Sequence, residues 1–290
     1  DGTIHLKTVI GERVQEDRFA FRIVPRPAPM ALKSPVRVLD PEGVSTKWLE
    51  SLGLKISGVA GPDLSLSCGG ILVIGRNAIA KTPAADWPGL RSQIEQFVNA
   101  GGRVLLMAQD PEWIREMSGL RVARHVGRRF WPVPTQSAHP VLAGLDGEDF
   151  RDWRGAGTLV DPTPTMAFDR PVPVVPRFGW HVNNTGSIAS AAIEKPHFGR
   201  WTPLLEGEFD LAFSPLMESR LGAGLLVWCG LDLEGRSEND PSADILSHRL
   251  LSYMSGPLPA SVPQSAATYL GGPVGEKLLS SMGVVFTKAS

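Results

Sequence analysis

Cysteine is almost missing from this chain. Two residues, Cys68 and Cys229, occur in 290, with no CxxC spacing, which excludes a disulfide framework. The remaining reading is two buried, apolar thiols. Neither sign of charge is in excess: 29 Lys and Arg against 30 Asp and Glu leave a net charge of -1. That balance gives no long-range pull toward nucleic acid or an anionic membrane surface. No apolar run approaches the roughly 20 residues that span a bilayer. The six histidines, His5, His125, His139, His181, His197 and His248, show neither HxH nor HExxH spacing, so no metal is expected. A GxSxG nucleophile elbow is missing. GPVGEK at Gly272 lacks the spacing of a phosphate loop, and no cofactor signature stands elsewhere. Arg128-Arg129 followed by Phe130-Trp131 is one basic-aromatic cluster, too little for a nucleic-acid surface.

What is present is globular. Hydrophobic residues make up 42% and charged residues 20%, values of a packed chain and not of a disordered one. The N-terminus, DGTIHLKTV, has neither the basic start nor the apolar core of a signal peptide and lacks an initiator Met. The chain therefore reads as an excised fragment or a processed product. Proline is frequent, at 25 residues. Pro162, Pro164, Pro171, Pro173 and Pro176 mark a long, elaborate connection.

Periodicity divides the chain. Ile4, Leu6, Thr8 and Ile10, then Phe19, Phe21 and Ile23, alternate with period two and predict two antiparallel strands joined through Gly11-Glu12. An isolated hairpin is only marginally stable, so residues 1–30 read as the end of a preceding β-sandwich domain plus a stiff linker through Pro25, Pro27 and Pro29. An α/β domain follows over 34–256. VRVLD reads as a strand, Ser45 as the cap of a helix ending at Gly53, and LKISGV and ILVIG as further strands. Leu90, Ile94, Phe97 and Val98 lie on one helical face. Gly101-Gly102 stops that helix, and Val104 to Met107 form a strand buried on both faces. Such alternation implies a parallel sheet with right-handed crossovers. SIASAAIEKP and the segment from Gly199 to Leu233 read as strands that extend the sheet in antiparallel fashion. A last helix opens at Asp240-Pro241, with Ile245, Leu246, Leu250 and Leu251 facing inward. Residues 264–290 read as the start of a second, truncated copy. Val274, Lys277, Leu279, Ser281 and Gly283 match Val44, Lys47, Leu49, Ser51 and Gly53.

In open α/β sheets chemistry gathers beyond the carboxyl ends of the strands. After Met107 that place holds Ala108, Gln109 and Asp110, with no Ser or Cys. FVNAGGRVLL, HPVLAGL and GAGLLVWCGLDL resemble the class I glutamine amidotransferase-like superfold, in its trehalose-utilisation-like branch and in the trimerisation domain of some β-galactosidases. DFRDWRGAGTL, IEKPHFGRWTPLLEGEFDLAFSPLMES and LDLEGR resemble an accessory domain of multidomain bacterial glycoside hydrolases of family-two-like architecture. The resemblance implies a flavodoxin-like, amidotransferase-like three-layer sandwich, with a mostly parallel sheet and an antiparallel extension. It also implies a periplasmic or secreted parent. Amidotransferase activity does not carry over. The elbow Cys of that group is replaced by Ala108-Gln109, and His248 is followed by Arg249 and Leu250 where a His-x-Glu pair would stand. Without a nucleophile and its base, acyl transfer has no mechanism. The resemblance places glycosidase acid and nucleophile on a barrel outside these residues.

The expectation is a non-catalytic structural or assembly domain, with the other domains of a parent chain, or a second copy, as partner. Two alternatives stand beside it. Trp153, Trp180 and Trp201 with Arg154, Asn183 and Asn184 are of the types that form a sugar-stacking platform for an oligosaccharide. The same rings equally serve to lock long loops. A hydrolase would need paired carboxylates, and Glu206, Glu208 and Asp210, or Asp232 and Glu234 with Arg236, alternate as on a strand. Alternating charges also suit a solvated edge.

Overall fold

The computed structural model describes residues 2–58, 70–80, 82–159, 185–196, 199–207, 209–258, 267–281 and 286–288. Cys68, Trp180, Asn183, Asn184 and Glu208 lie outside the described residues. The chain forms two compact units, Asp1–Ser255 and Gly256–Ser290.

The first unit opens with a ribbon of β1 (Gly2–Ile10) and β2 (Arg13–Phe21). The pairing runs from Gly2 opposite Phe21 to Ile10 opposite Arg13, and Gly11 takes the left-handed turn conformation at φ 60°. The α/β body contains β3 (Val36–Leu39), α1 (Val44–Ser51), β4 (Ile56–Gly58), β5 (Ile71–Ile74), α2 (Trp87–Asn99), β6 (Arg103–Leu106) and α3 (Pro111–Ser118). It continues through β7 (Val122–Gly127), β8 (Phe130–Pro132), β9 (Trp153–Ala156), β10 (Thr185–Gly186), β11 (Ala189–Glu194), β12 (Trp201–Pro203), β13 (Leu205–Gly207) and β14 (Phe213–Ser214). It closes with β15 (Leu216–Leu221), β16 (Gly224–Cys229), α4 (Leu233–Arg236) and α5 (Pro241–Ser255).

The fold is α/β with mixed sheets. The main sheet has seven strands in the order β12-β15-β16-β6-β5-β3-β4. Its pairs from β16 to β4 are parallel, and β15 and β12 add antiparallel strands. The antiparallel extension accounts for only part of the later half. β7, β11, β14, β13 and β8 form a second, five-stranded sheet. The strand expected through Glu206 to Asp210 breaks, because Asp210 sits at φ 64°, and Asp232 to Arg236 form a helical turn, not a strand.

β5, β6 and β16 are buried almost throughout, as their unbroken apolar runs require. Leu72, Ile74, Val104, Leu106, Leu226 and Trp228 join one core cluster with Leu90, Ile94, Phe97 and Val98 of α2 and Trp113, Ile114 and Met117 of α3. Residues between them point the other way, where Arg103 donates to the Met254 carbonyl in α5. Trp48 of α1 donates to the Ser247 hydroxyl of α5 at 3.3 Å. The second unit repeats the opening β-α-β order. β17 (Ala267–Tyr269) and β18 (Phe286–Lys288) pair in parallel around α6 (Pro273–Ser281), as β3 and β4 do around α1.

The α2–β6 junction explains the glycines of FVNAGG. Gly101 adopts φ 99° just past the helix, and a Cβ on Gly102 would enter the Phe97 ring. β16 comes so close to this turn that a Cβ on Gly224 would run into the carbonyls of Val98 and Gly102. Backbone atoms cannot swing aside, so Gly224→Ala is expected to destabilise the first unit by about 3 kcal/mol, read as a lower midpoint in urea unfolding. An unchanged midpoint would refute the close approach.

Candidate functional site

The carboxyl ends of β3, β5, β6 and β16 meet in one crevice, and each contributes polar groups. After β6, Ala108 is buried and Gln109 is 5% exposed. The Gln109 amide donates to the carbonyls of Gly75 and, at 3.2 Å, Met107, and its oxygen accepts from Ile79 N at 3.3 Å. The second residue after Met107 therefore ties two strand ends together. Asp110 caps α3, accepting from Glu112 N at 2.8 Å.

After β3, Asp40 Oδ2 accepts from Thr46 N at 2.7 Å, so Asp40 supplies the cap of α1. This corrects the expectation for Ser45. The N-cap residue is Gly43 at φ 74°, and Ser45 lies inside the first turn, fully buried. Its hydroxyl accepts from Arg76 N at 2.9 Å and donates to the Glu234 carboxylate. Asp40 Oδ1 is buried and has no hydrogen-bond partner among the described residues.

After β5, Arg76 reaches the Thr158 hydroxyl at 2.9 Å and the Thr158 carbonyl. Thr158 N donates to Asp232 Oδ2 at 2.7 Å. Asp232 forms an ion pair with Arg236 at 3.2 Å, both side chains at most 2% exposed. The Arg236 guanidinium donates to the carbonyls of Trp153 at 2.7 Å, Arg154 at 2.9 Å and Ser187 at 2.7 Å. Gly75 and Gly235 are needed for these contacts: a Cβ on the first would overlap the Ser45 hydroxyl, and on the second the Thr158 side chain.

Burial pushes the Glu234 carboxyl up to about 7, against the Ser45 hydrogen bond and the Arg76 charge, with Asp40 adding to the rise. Glu234 is thus the group of the crevice that holds a proton near neutrality, the property of a general acid or base. Burial, with the nearby Glu234 charge, also drives the Cys229 thiol up to about 12, so it is no nucleophile.

The other sequence candidates fall elsewhere. Trp153 is 1% exposed and its indole N–H donates to the Asp149 carbonyl at 2.8 Å, so its ring packs inside. Arg154 is exposed, while Trp201 is buried and donates to the Ser118 carbonyl at 3.2 Å. Glu206 is paired with Lys195. Asp149 is buried and engages Arg22 and, at 3.0 Å, the Ser242 hydroxyl. A separate buried cluster joins His139, Glu218, Arg220 and Tyr253. Tyr253 donates to Glu218 at 2.7 Å, and His139 Nε2 stands 3.5 Å from the same carboxylate. Burial pushes Glu218 up, but hydrogen bonds from His139 and Tyr253 and the Arg220 charge outweigh it and hold the carboxyl below its usual range. Sequence reasoning missed Arg76, Thr158 and the Ser45–Glu234 contact. The signal for them was the set of residues following each buried strand.

No family model matches the chain, and no curated protein is similar to it. Among solved structures it is similar to the cytoplasmic protein STM3548 from Salmonella typhimurium, with 10% identity and TM-score 0.41, over 87% of this chain and 95% of that one. It is also similar to exo-beta-1,4-mannosidase Op5Man5 from Opitutaceae bacterium strain TAV5, with 11% identity and TM-score 0.41, over 76% of this chain and 36% of that one. A beta-galactosidase from Rahnella sp. R3 gives 11% identity and TM-score 0.44, over 78% and 32%. The chain thus spans about a third of the length of each glycosidase.

Glu234 gives a pH signature. Its carboxyl titrates near 7 when folded against an ordinary value of 4.5. The folded state therefore holds this proton more tightly, and the resulting stability is complete below about 4.5 and is lost as pH rises through about 7. Glu234→Gln is expected to flatten that fall in urea-unfolding free energy between pH 5 and pH 8. A decline of the same size in the variant would assign it to another group.

Proposed function

We propose that the chain is a non-catalytic structural and assembly domain, of amidotransferase-like three-layer α/β architecture, within a larger glycoside hydrolase. The observation that carries this reading is the β1–β2 ribbon. The pairing register sets Ile4, Leu6, Ile10, Phe19 and Phe21 on one face, with Asp17 opposite Leu6 and Arg13 opposite Ile10, and the five apolar residues are between 42% and 74% exposed. The opposite face carries Val9 and Val14 beside His5, Lys7, Glu16 and Arg18. Large exposed apolar side chains along a two-stranded ribbon, five of them on one face, are the pattern of a docking surface. Each contributes about 1.5–3 kcal/mol on full burial, enough over five residues to hold a neighbouring domain or a second copy. The crevice supports the same reading, since Gln109, Asp110, Asp232 and Arg236 fasten strand ends and loops to each other.

The natural partner of the apolar face is another β-domain of the parent chain, and in the isolated chain the same face drives self-association. Light scattering after size exclusion is expected to give a mass that is a multiple of one chain. Leu6→Asp combined with Phe19→Asp should return it to a single chain without loss of helical circular dichroism. A single-chain mass for the unaltered protein would overturn the assembly role.

A further inference from the structure

The two edges of the β1–β2 ribbon are unlike each other. Among the described residues neither strand pairs with anything but the other. Gly11 at φ 60° leads the two-residue turn, a type that closes with a hydrogen bond across its flanking pair, Ile10 and Arg13. Hydrogen-bonded and non-hydrogen-bonded pairs alternate along an antiparallel ladder, so the even-numbered residues of β1 bond to β2. Thr3, His5, Lys7 and Val9 therefore turn their backbone N–H and C=O groups to the outer edge.

Sheet edges are commonly guarded by charge. β2 is guarded, with Arg13, Glu16, Asp17 and Arg18 among its nine residues. β1 carries one full charge in nine, Lys7, and Glu16 of β2 stands 3.7 Å from it. β1 is thus a long strand, exposed almost throughout, with an outward row of backbone groups and little to repel another strand. A two-stranded ribbon is also marginal in water, and three or more strands with an apolar face are needed for independent stability.

We infer that β1 pairs edge to edge with β1 of a second copy, antiparallel about a two-fold axis at Leu6, to make a four-stranded sheet. The inference rests on the assembly reading above and names its contact. The outward groups must meet each other, so Thr3 stands opposite Val9 of the second copy and His5 opposite its Lys7. Centred on Leu6, the pairing uses every residue of β1. An axis at Lys7 would oppose two ammonium groups, and an axis at His5 would leave the Ile10 end unpaired. The equivalent pairing of β2 gains Glu16 opposite Arg18 but centres on Asp17 against Asp17, a like-charge contact that β1 avoids. A two-fold normal to the sheet keeps each face on its own side. The five apolar residues of each copy then join into one surface, still open to a neighbouring domain.

Cross-linking of the whole chain tests this, in a Cys68→Ser background because Cys229 is buried. Leu6 would face its own copy in a non-hydrogen-bonded pair, with Cα atoms about 4.5 Å apart, within reach of a disulfide. Leu6→Cys is expected to give a disulfide-linked dimer on mild oxidation, and Asp17→Cys is not. A second variant, Lys7→Pro, removes an outward N–H and takes no bond from β2. It should lower the mass by light scattering from two chains to one, with circular dichroism unchanged. No Leu6→Cys cross-link in a protein of two-chain mass, a cross-link through Asp17→Cys instead, or a two-chain mass in Lys7→Pro would each overturn the edge pairing and leave the assembly reading standing. A single-chain mass in the unaltered protein would overturn both.

Discussion

The buried charge of Arg236 is the constraint around which the strand ends are arranged. A guanidinium that is 1% exposed costs several kcal/mol to desolvate unless it is paired and fully hydrogen-bonded. Here Asp232 supplies the countercharge beside Nε, and the carbonyls of Trp153, Arg154 and Ser187 accept from the two terminal nitrogens. Those three residues belong to segments distant in sequence, which the arginine fixes in one place. Asp232 carries the constraint onward to Thr158, Thr158 to Arg76, and Arg76 to Ser45 and Glu234. A chain of single contacts thus spans the carboxyl edge of the sheet from β16 to β3.

This arrangement separates the chain's two surfaces by role. At the carboxyl edge, where α/β proteins usually work, most polar atoms hold other parts of the same chain. Gln109 is the plainest case: it follows the end of β6 and binds backbone carbonyls there. At the ribbon the opposite holds, since apolar side chains there stay 42–74% exposed among the described residues. Glu234, whose carboxyl burial pushes up to about 7, is the group among the described residues of this edge that changes charge near neutrality.

Local patterns made the core legible. The α2 face, the glycines after it and the β6 run follow from spacing alone, because a helical stripe, a left-handed stop and a doubly buried strand leave distinct marks. The ribbon turn at Gly11 was equally readable. The later strands β11, β15 and β16 were readable as strands, but the second sheet was not, because its strands are short and its order depends on distant partners: β8 pairs with β13, and β7 with β11. Period two placed Asp232, Glu234 and Arg236 on a strand, whereas the Asp232–Arg236 ion pair needs the i, i+4 spacing of a helix. Ser45 illustrates the same limit. Its position before a helical stripe fits a cap, but its hydroxyl answers to Arg76 and Glu234, 31 and 189 residues away.

If the arginine holds these segments as one body, loosening it should show in each of them together. The direct measurement is amide hydrogen exchange of Arg236→Met against the unaltered chain. The account predicts faster exchange jointly at Thr158 and Asp232 and in β9 and β11, with β5 and β6 still protected. Faster exchange confined to α4 would contradict it, and would leave the strand ends held by something other than this buried charge.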